Sequence, residues 1–150
     1  MRLEDEIKQK EFRNEFQKTA VNIIFTFNWL DARTRNFMKD YDLTPQQFNI
    51  LRILRGQYPN PSTINLLKER MLDKMSDASR LVERLRIKEL LERSPSSEQK
   101  RRSVNILISQ KGLDLLAEID KNFHEYEKVF NSITVEDAKI LNQLLDKLRD

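Results

Sequence analysis

The sequence predicts a mainly α-helical domain that carries one small β-hairpin. Three observations lead there. Its 150 residues hold only two glycines and four prolines, and five of these six, Pro45, Gly56, Pro59, Pro61 and Pro95, fall near the joints between apolar runs, where such residues punctuate helices. Between the joints, apolar side chains recur at the spacing of an amphipathic helix. One run alone, "VNILIS" from Val104 to Ser109, switches to a period of two, which is the pattern of a strand.

From Leu3 to about Tyr41 there is neither glycine nor proline, and Phe12, Phe16, Ala20, Ile23, Phe27 and Leu30 repeat at helical spacing. One long helix is expected, with more apolar surface than a small domain easily hides. Thr44, Pro45 and Gln47 form a start signal, with threonine as N-cap, proline at the first helical position and glutamine reaching back as a capping box. The second helix is expected to run to about Arg55 and to bury Phe48, Leu51 and either Leu54 or Ile53. It is broken at Gly56 by "GQYPNP". Ser62 is then placed to cap a short third helix ending near Met71, and "LDKM" connects it to Ser76, the expected cap of a fourth.

In that fourth helix Ala78, Leu81, Val82 and Leu85 form the inward stripe, while Asp77, Arg80 and Arg84 face outward. Two short helices joined by a few residues, the second basic on its outer face from the N-terminus onward, make a helix-turn-helix pattern. Leu90 to Arg93 is the natural strand partner of the run that begins at Val104. The stretch between them, "SPSSEQKRRS" at 94–103, has no apolar side chain other than that of Pro95 and becomes the hairpin loop. Ser109 starts a fifth helix through about Phe130, with Leu116, Ile119, Phe123 and Tyr126 on one side. Thr134 caps a sixth, whose stripe is Ala138, Leu141, Leu144, Leu145 and Leu148.

Composition bounds the function. A chain of this length is about one domain. The absence of cysteine excludes a disulfide framework, a thiolate zinc site and a thiol redox sensor. Met1 to Lys10 is charged, unlike a secretory signal, and the longest apolar run, Ala20 to Leu30, is far shorter than the ~20 residues that span a bilayer. A soluble, cytoplasmic protein with no membrane partner is expected. The net charge of +3 is unevenly spread: residues 68–102 carry 11 basic and 7 acidic side chains, whereas residues 103–150 carry 6 and 9. A basic middle points weakly to a polyanionic partner.

The outward residues of the fourth helix carry the most chemistry. Ser76, Asp77, Ser79 and Arg80 lie in its first turns, the part of such a helix that reaches base edges in the major groove, where arginine donates to guanine and hydroxyls bond base or phosphate. Arg84, one turn on, suits a phosphate. The structural alternative is a solvated face in which Glu83 pairs with Arg80 or Arg84. Lys100, Arg101 and Arg102 put three cations at one end of the hairpin, fit for a minor groove and its flanking phosphates. By itself such a run is a solubilising turn; its place after a helix-turn-helix reverses that reading. Ser62, Thr63 and Asn65 open the third helix, where they can either hold a phosphate oxygen or simply cap. His124 follows Asp120 at metal spacing, but zinc takes three or four protein ligands and the chain has no other imidazole and no thiolate. No nucleophile–histidine set or glycine-rich phosphate loop is present, so neither an enzyme nor a cofactor is expected.

The order of elements, together with "LTPQQFNILRIL", "SDASRLVERL" and "KRRSVNILISQKG", resembles the MarR family of bacterial winged-helix transcription regulators over essentially the whole chain. The resemblance implies six helices in a winged helix-turn-helix fold. Residues 43–109 would form the DNA-binding region, and 1–42 and 110–150 would supply dimerisation helices within a single domain of 1–150. It further implies a homodimeric, sequence-specific repressor of a pseudo-palindromic double-stranded operator, responsive to a ligand. Many relatives take small phenolic or aromatic anions near where the dimerisation and DNA-binding parts meet. Phe25, Trp29, Phe37 and Tyr41, near Phe27, with Arg33 or Arg35 for charge, are the matching candidates; core and dimer packing is the alternative for the aromatics. From another class, a winged-helix module that binds an acidic protein partner without specific DNA binding is the alternative function. Two positions depart from the family pattern. Lys100 stands where an acid usually braces the wing, leaving Glu98 as a substitute. Glu89 stands where glycine is usual; a left-handed non-glycine residue costs on the order of 1 kcal/mol, so the helix is expected to end differently there.

Overall fold

The computed structural model describes residues 1–95 and 104–150. Its order is α1 (Leu3–Glu6), α2 (Glu15–Lys39), α3 (Pro45–Gln57), α4 (Ile64–Arg70), α5 (Ala78–Ile87), β1 (Leu91–Pro95), β2 (Val104–Ile108), α6 (Gln110–Glu127), a 3-10 turn at Lys128–Phe130, and α7 (Val135–Leu148). Mainly helical architecture with one antiparallel hairpin is thus as expected. Seven α-helices among the described residues replace six because the first is divided. Lys8 adopts a left-handed φ of 54°, and the chain re-enters a helix only where Asn14 accepts the Gln17 N–H at 2.9 Å. The polar stretch "KQKE" offers no apolar face to hold a helix together there. Phe12 therefore lies outside any helix, whereas Leu3 of the short α1 is buried.

The expected capping box forms in full. Thr44 Oγ1 accepts from Gln47 N at 3.1 Å, and Gln47 Oε1 accepts from Thr44 N at 3.0 Å. Helix α3 runs through Gly56, which is a helical residue rather than a break, and buries Ile50, Leu51 and Leu54. These join Leu67, Met71, Ala78, Val82, Leu85, Leu91, Ile106, Ile108, Leu116 and Ile119 in one core beneath the short helices and the hairpin. In that hairpin Leu91 is opposite Ile108 and Arg93 is opposite Ile106. Phe48 and Ile53 pack at the margin of this core.

Two caps fall one residue later than expected. Thr63, not Ser62, caps α4, accepting from Leu66 N at 3.2 Å. Asp77, not Ser76, caps α5, accepting from Arg80 N at 3.1 Å. Ser62 is diverted because its N–H and C=O both pair with Ile106, at 2.8 Å each, making a third edge contact on β2.

Helix α5 ends through a left-handed residue after all. Glu89 has φ 61°; its N–H donates to Arg86 O at 2.8 Å and the next N–H, of Leu90, reaches back to Leu85 O at 3.0 Å. Those two bonds are a Schellman motif, normally built on glycine. The start of α6 braces it: Ser109 Oγ donates to Glu89 O at 2.7 Å, and Ser109 N donates to Leu90 O at 3.1 Å. Gly112 is needed for that approach, since a Cβ there would sit 2.3 Å from Leu90 O and 2.7 Å from Ile108 Cγ1.

Candidate nucleic-acid interface

The turn between α4 and α5 is fixed by side chains that the sequence supplies locally. Leu72 N donates to Asn49 Oδ1 of α3 at 2.9 Å. Asp73 accepts from Ser76 Oγ at 2.8 Å and from Met75 N at 2.9 Å. The first of these bonds is the main reason that the Asp73 carboxyl titrates below the ordinary aspartate range. Lys74 Nζ donates to the C-terminal carbonyls of α4 at Lys68 and Glu69, where a cation also meets the negative end of the helix dipole.

On this turn stands α5, with Ala78, Val82 and Leu85 wholly buried and Ser79, Arg80 and Arg84 exposed on other faces. Arg80 and Arg84 make no ion pair among the described residues. The acid that the sequence offered as their partner is occupied elsewhere. Glu83 takes a two-point bond from Arg86, at 2.9 and 2.7 Å, and a third from Arg93 of β1 at 3.2 Å. The Arg86 bond, foremost, holds the Glu83 carboxyl below its usual range. Among the described residues the helix thus keeps two guanidiniums without an acidic partner one turn apart, and it is tied to the hairpin through Glu83–Arg93. The sequence reading paired Glu83 with Arg80 or Arg84 and missed Arg86, although it lies at helical spacing; Arg93 had no such signal, because only the chain reversal at Glu89 brings it back against α5.

Other expected contacts are sorted differently. Ser62 is 1 % exposed and cannot face a ligand; its assignment to the DNA surface is corrected by its pairing with β2. Thr63 and Asp77 are exposed but serve as caps, and Ser76 is half-buried against Asp73. Lys100, Arg101 and Arg102, with Glu98, lie outside the described residues.

The five effector candidates do not form one pocket. Phe37 and Tyr41 belong to an aromatic cluster at the core margin, with ring centroids 5.6 Å apart and Phe37 at 6.0 Å from Phe123 and 5.6 Å from Tyr126. Tyr41 Oη accepts from Asn122 at 3.1 Å. Further up α2, Arg33 stacks on Trp29 at 3.9 Å and donates to Trp29 O at 3.1 Å, so its charge covers its own neighbour. Phe25 is half-buried nearby along the helix. Two cavities on this chain are lined by none of the five. One, of about 550 Å³, lies between the end of α2, the start of α3 and the last turns of α5. Asp120 and His124 also part company: Asp120 bonds Arg55 at 2.6 Å and His124 meets Glu125 at 3.1 Å.

A helix-turn-helix followed at once by an antiparallel hairpin, with long helices before and after, defines a winged helix-turn-helix protein. This arrangement is the fold of MarR-type transcription regulators. The organohalide-sensing regulator RdhR matches in its ligand-free form with a TM-score of 0.81 at 23% identity, over 94% of this chain and 85% of that one. Its 2,4-dichlorophenol-bound form matches with a TM-score of 0.79 at 24% identity over the same shares. A mutant MarR from E. coli complexed with operator DNA gives 0.76 at 21%, over 93% and 99% of the two chains. BpsR of Bordetella bronchiseptica, whose DNA binding is regulated by 6-hydroxynicotinic acid, gives 0.74 at 20%, over 89% and 99%. No protein-family model and no curated protein matches the chain. No helix among the described residues is long and apolar enough to cross a membrane.

Proposed function

We propose that the protein is a cytoplasmic, homodimeric regulator of transcription that binds double-stranded DNA sequence-specifically and acts as a ligand-responsive repressor, not as an enzyme. The observation that carries the reading is the outer surface of α5: Ser79, Arg80 and Arg84 stand exposed on a helix whose opposite stripe is fully buried, and Glu83, the acid between the arginines, is held by Arg86 and Arg93. Exposed guanidiniums on a helix packed along its opposite stripe suit base edges and phosphates. Operator DNA and small aromatic ligands in proteins of the same fold support it.

The homodimer is supported by what the single chain leaves uncovered. Helix α7 buries none of its residues, and Ile140, Leu141, Leu144 and Leu148 are each half or more exposed. Phe16, Ile24 and Phe27 of α2 are exposed by 62% or more. Contiguous apolar surface of this kind marks an interface, and a two-fold dimer would set two α5 helices to read successive major-groove faces about 34 Å apart. The test is selection of bound fragments from genomic DNA at physiological salt. Enrichment of a palindromic sequence is expected; no enrichment over random DNA would turn the reading to a protein-interaction module.

A further inference from the structure

Scattered apolar side chains on a protein surface need no explanation, but two on one short, hydrogen-bonded turn do. Leu72 and Met75 are 87% and 93% exposed, the two most exposed large apolar side chains among the described residues. Both lie in the connector between α4 and α5, on neither of the apolar stripes of α2 and α7. That connector is held along its length. Leu72 N donates to Asn49 Oδ1, Met75 N and Ser76 Oγ donate to the Asp73 carboxylate, and Ser76 N donates to Asp73 O at 3.3 Å. Lys74 Nζ reaches back to the carbonyls of Lys68 and Glu69. Met71 just before the turn is 2% exposed, and Ala78 just after it is wholly buried. A turn anchored at both ends and by its polar groups thus holds the Met75 thioether out in solvent, immediately ahead of Ser76 and the Asp77 cap of α5.

We propose that Met75 is a base-reading residue that packs against the C5-methyl group of a thymine in the major groove. The proposal rests on the DNA-binding reading and names part of what that surface recognises. Met75 adjoins the N-terminal end of α5, the end of a recognition helix that meets base edges, and the exposed Ser79 and Arg80 lie in the first turn beyond the cap. Of the four standard bases only thymine presents a methyl group in the major groove, so an apolar side chain there discriminates by covering that methyl, without a hydrogen bond. Methionine suits the task, because its unbranched, polarizable chain fits an irregular apolar surface. Arg80 and Met75 divide the readout: the guanidinium takes the acceptors of guanine, and the thioether takes the thymine methyl. Leu72 adds apolar surface on the α4 side of the same turn.

Uracil is the probe, because it differs from thymine only by that methyl. Once an operator has been selected with the wild-type chain, each thymine is replaced by uracil at symmetric positions in both half-sites, and binding is measured by fluorescence anisotropy. Wild type should lose affinity at one symmetric pair, by about fourfold per methyl and so roughly tenfold or more for the pair. Met75→Gln, similar in length but polar, should bind the thymine operator weaker by about the same factor and be indifferent to uracil at that pair, whereas Met75→Leu should keep the sensitivity. At 93% exposure the side chain is no part of the core, and circular dichroism shows whether both variants keep their helix content. A Met75→Gln protein as sensitive to uracil as wild type at every pair overturns the proposal. So does an operator at which no replacement matters. Both results leave the DNA-binding reading standing, whereas failure to enrich any operator sinks that reading and this proposal with it.

Discussion

Replacing Leu144 by aspartate tests whether the uncovered stripe of α7 joins two copies of the chain. Leu144 is 59% exposed in the single chain, and its helix has no buried residue, so most of its apolar surface is not part of the monomer's own packing. Full burial of a leucine side chain is worth ~1.5–3 kcal/mol. Covering the exposed three-fifths contributes about 1–2 kcal/mol, and a two-fold interface repeats the loss in each partner. The variant should therefore lose about 2–4 kcal/mol of association, a dimer Kd roughly 30 to several hundred times larger, before the cost of desolvating two carboxylates is added. Sedimentation equilibrium over a range of concentrations reads this directly, and circular dichroism shows whether helix content is kept. A wild-type chain that stays monomeric at micromolar concentration refutes the reasoning. So does a Leu144→Asp dimer as tight as wild type.

Gly112→Ala should destabilise the fold by about 2 kcal/mol or more, because the added Cβ meets the Leu90 carbonyl and Ile108 together and backbone must move; urea denaturation checks it. Glu89→Gly should stabilise by about 0.5–1 kcal/mol, since it relieves a left-handed φ at a cost in unfolded-state entropy, and an unchanged denaturation midpoint would count against strain at that turn. Arg80→Ala should relax base preference, costing about 1–3 kcal/mol on the selected sequence, whereas Arg84→Ala should weaken binding on all sequences and flatten its salt dependence. The Asp137 carboxylate accepts from Thr134 N and then from Thr134 Oγ1, which hold its pKa below the usual aspartate range. A depressed pKa means that its contribution is complete above the unfolded value, near 3.9, and fades as pH falls through the folded one. Tm measured on the way down from pH 5 should decline less steeply in Asp137→Asn than in wild type.

Local patterning carried most of the fold. Thr44, Asn14, Ser109 and Thr134 each cap the helix that follows, and of these only Asn14 escaped notice, because an uninterrupted apolar period from Phe12 to Leu30 looks continuous whether or not the chain leaves the helix before it. What local patterning could not supply is pairing between distant segments. Ser62 and Thr63 are both competent caps, and the choice between them is made by Ile106, whose backbone claims Ser62. Glu89 illustrates the same limit. Its intrinsic preference argues against a left-handed turn, yet Ser109, some 20 residues on, supplies a hydrogen bond to its carbonyl and Gly112 leaves room for the approach. The strain at Glu89 is thus held by the α6 start, not by its own sequence neighbours. The candidate site follows suit: the positions of Arg80 and Arg84 on α5 were legible from helical period, but their freedom was not. That freedom depends first on Arg86 holding Glu83 and then on Arg93, which the Glu89 turn brings over the same carboxylate, so the hairpin adds to what the helix's own spacing supplies.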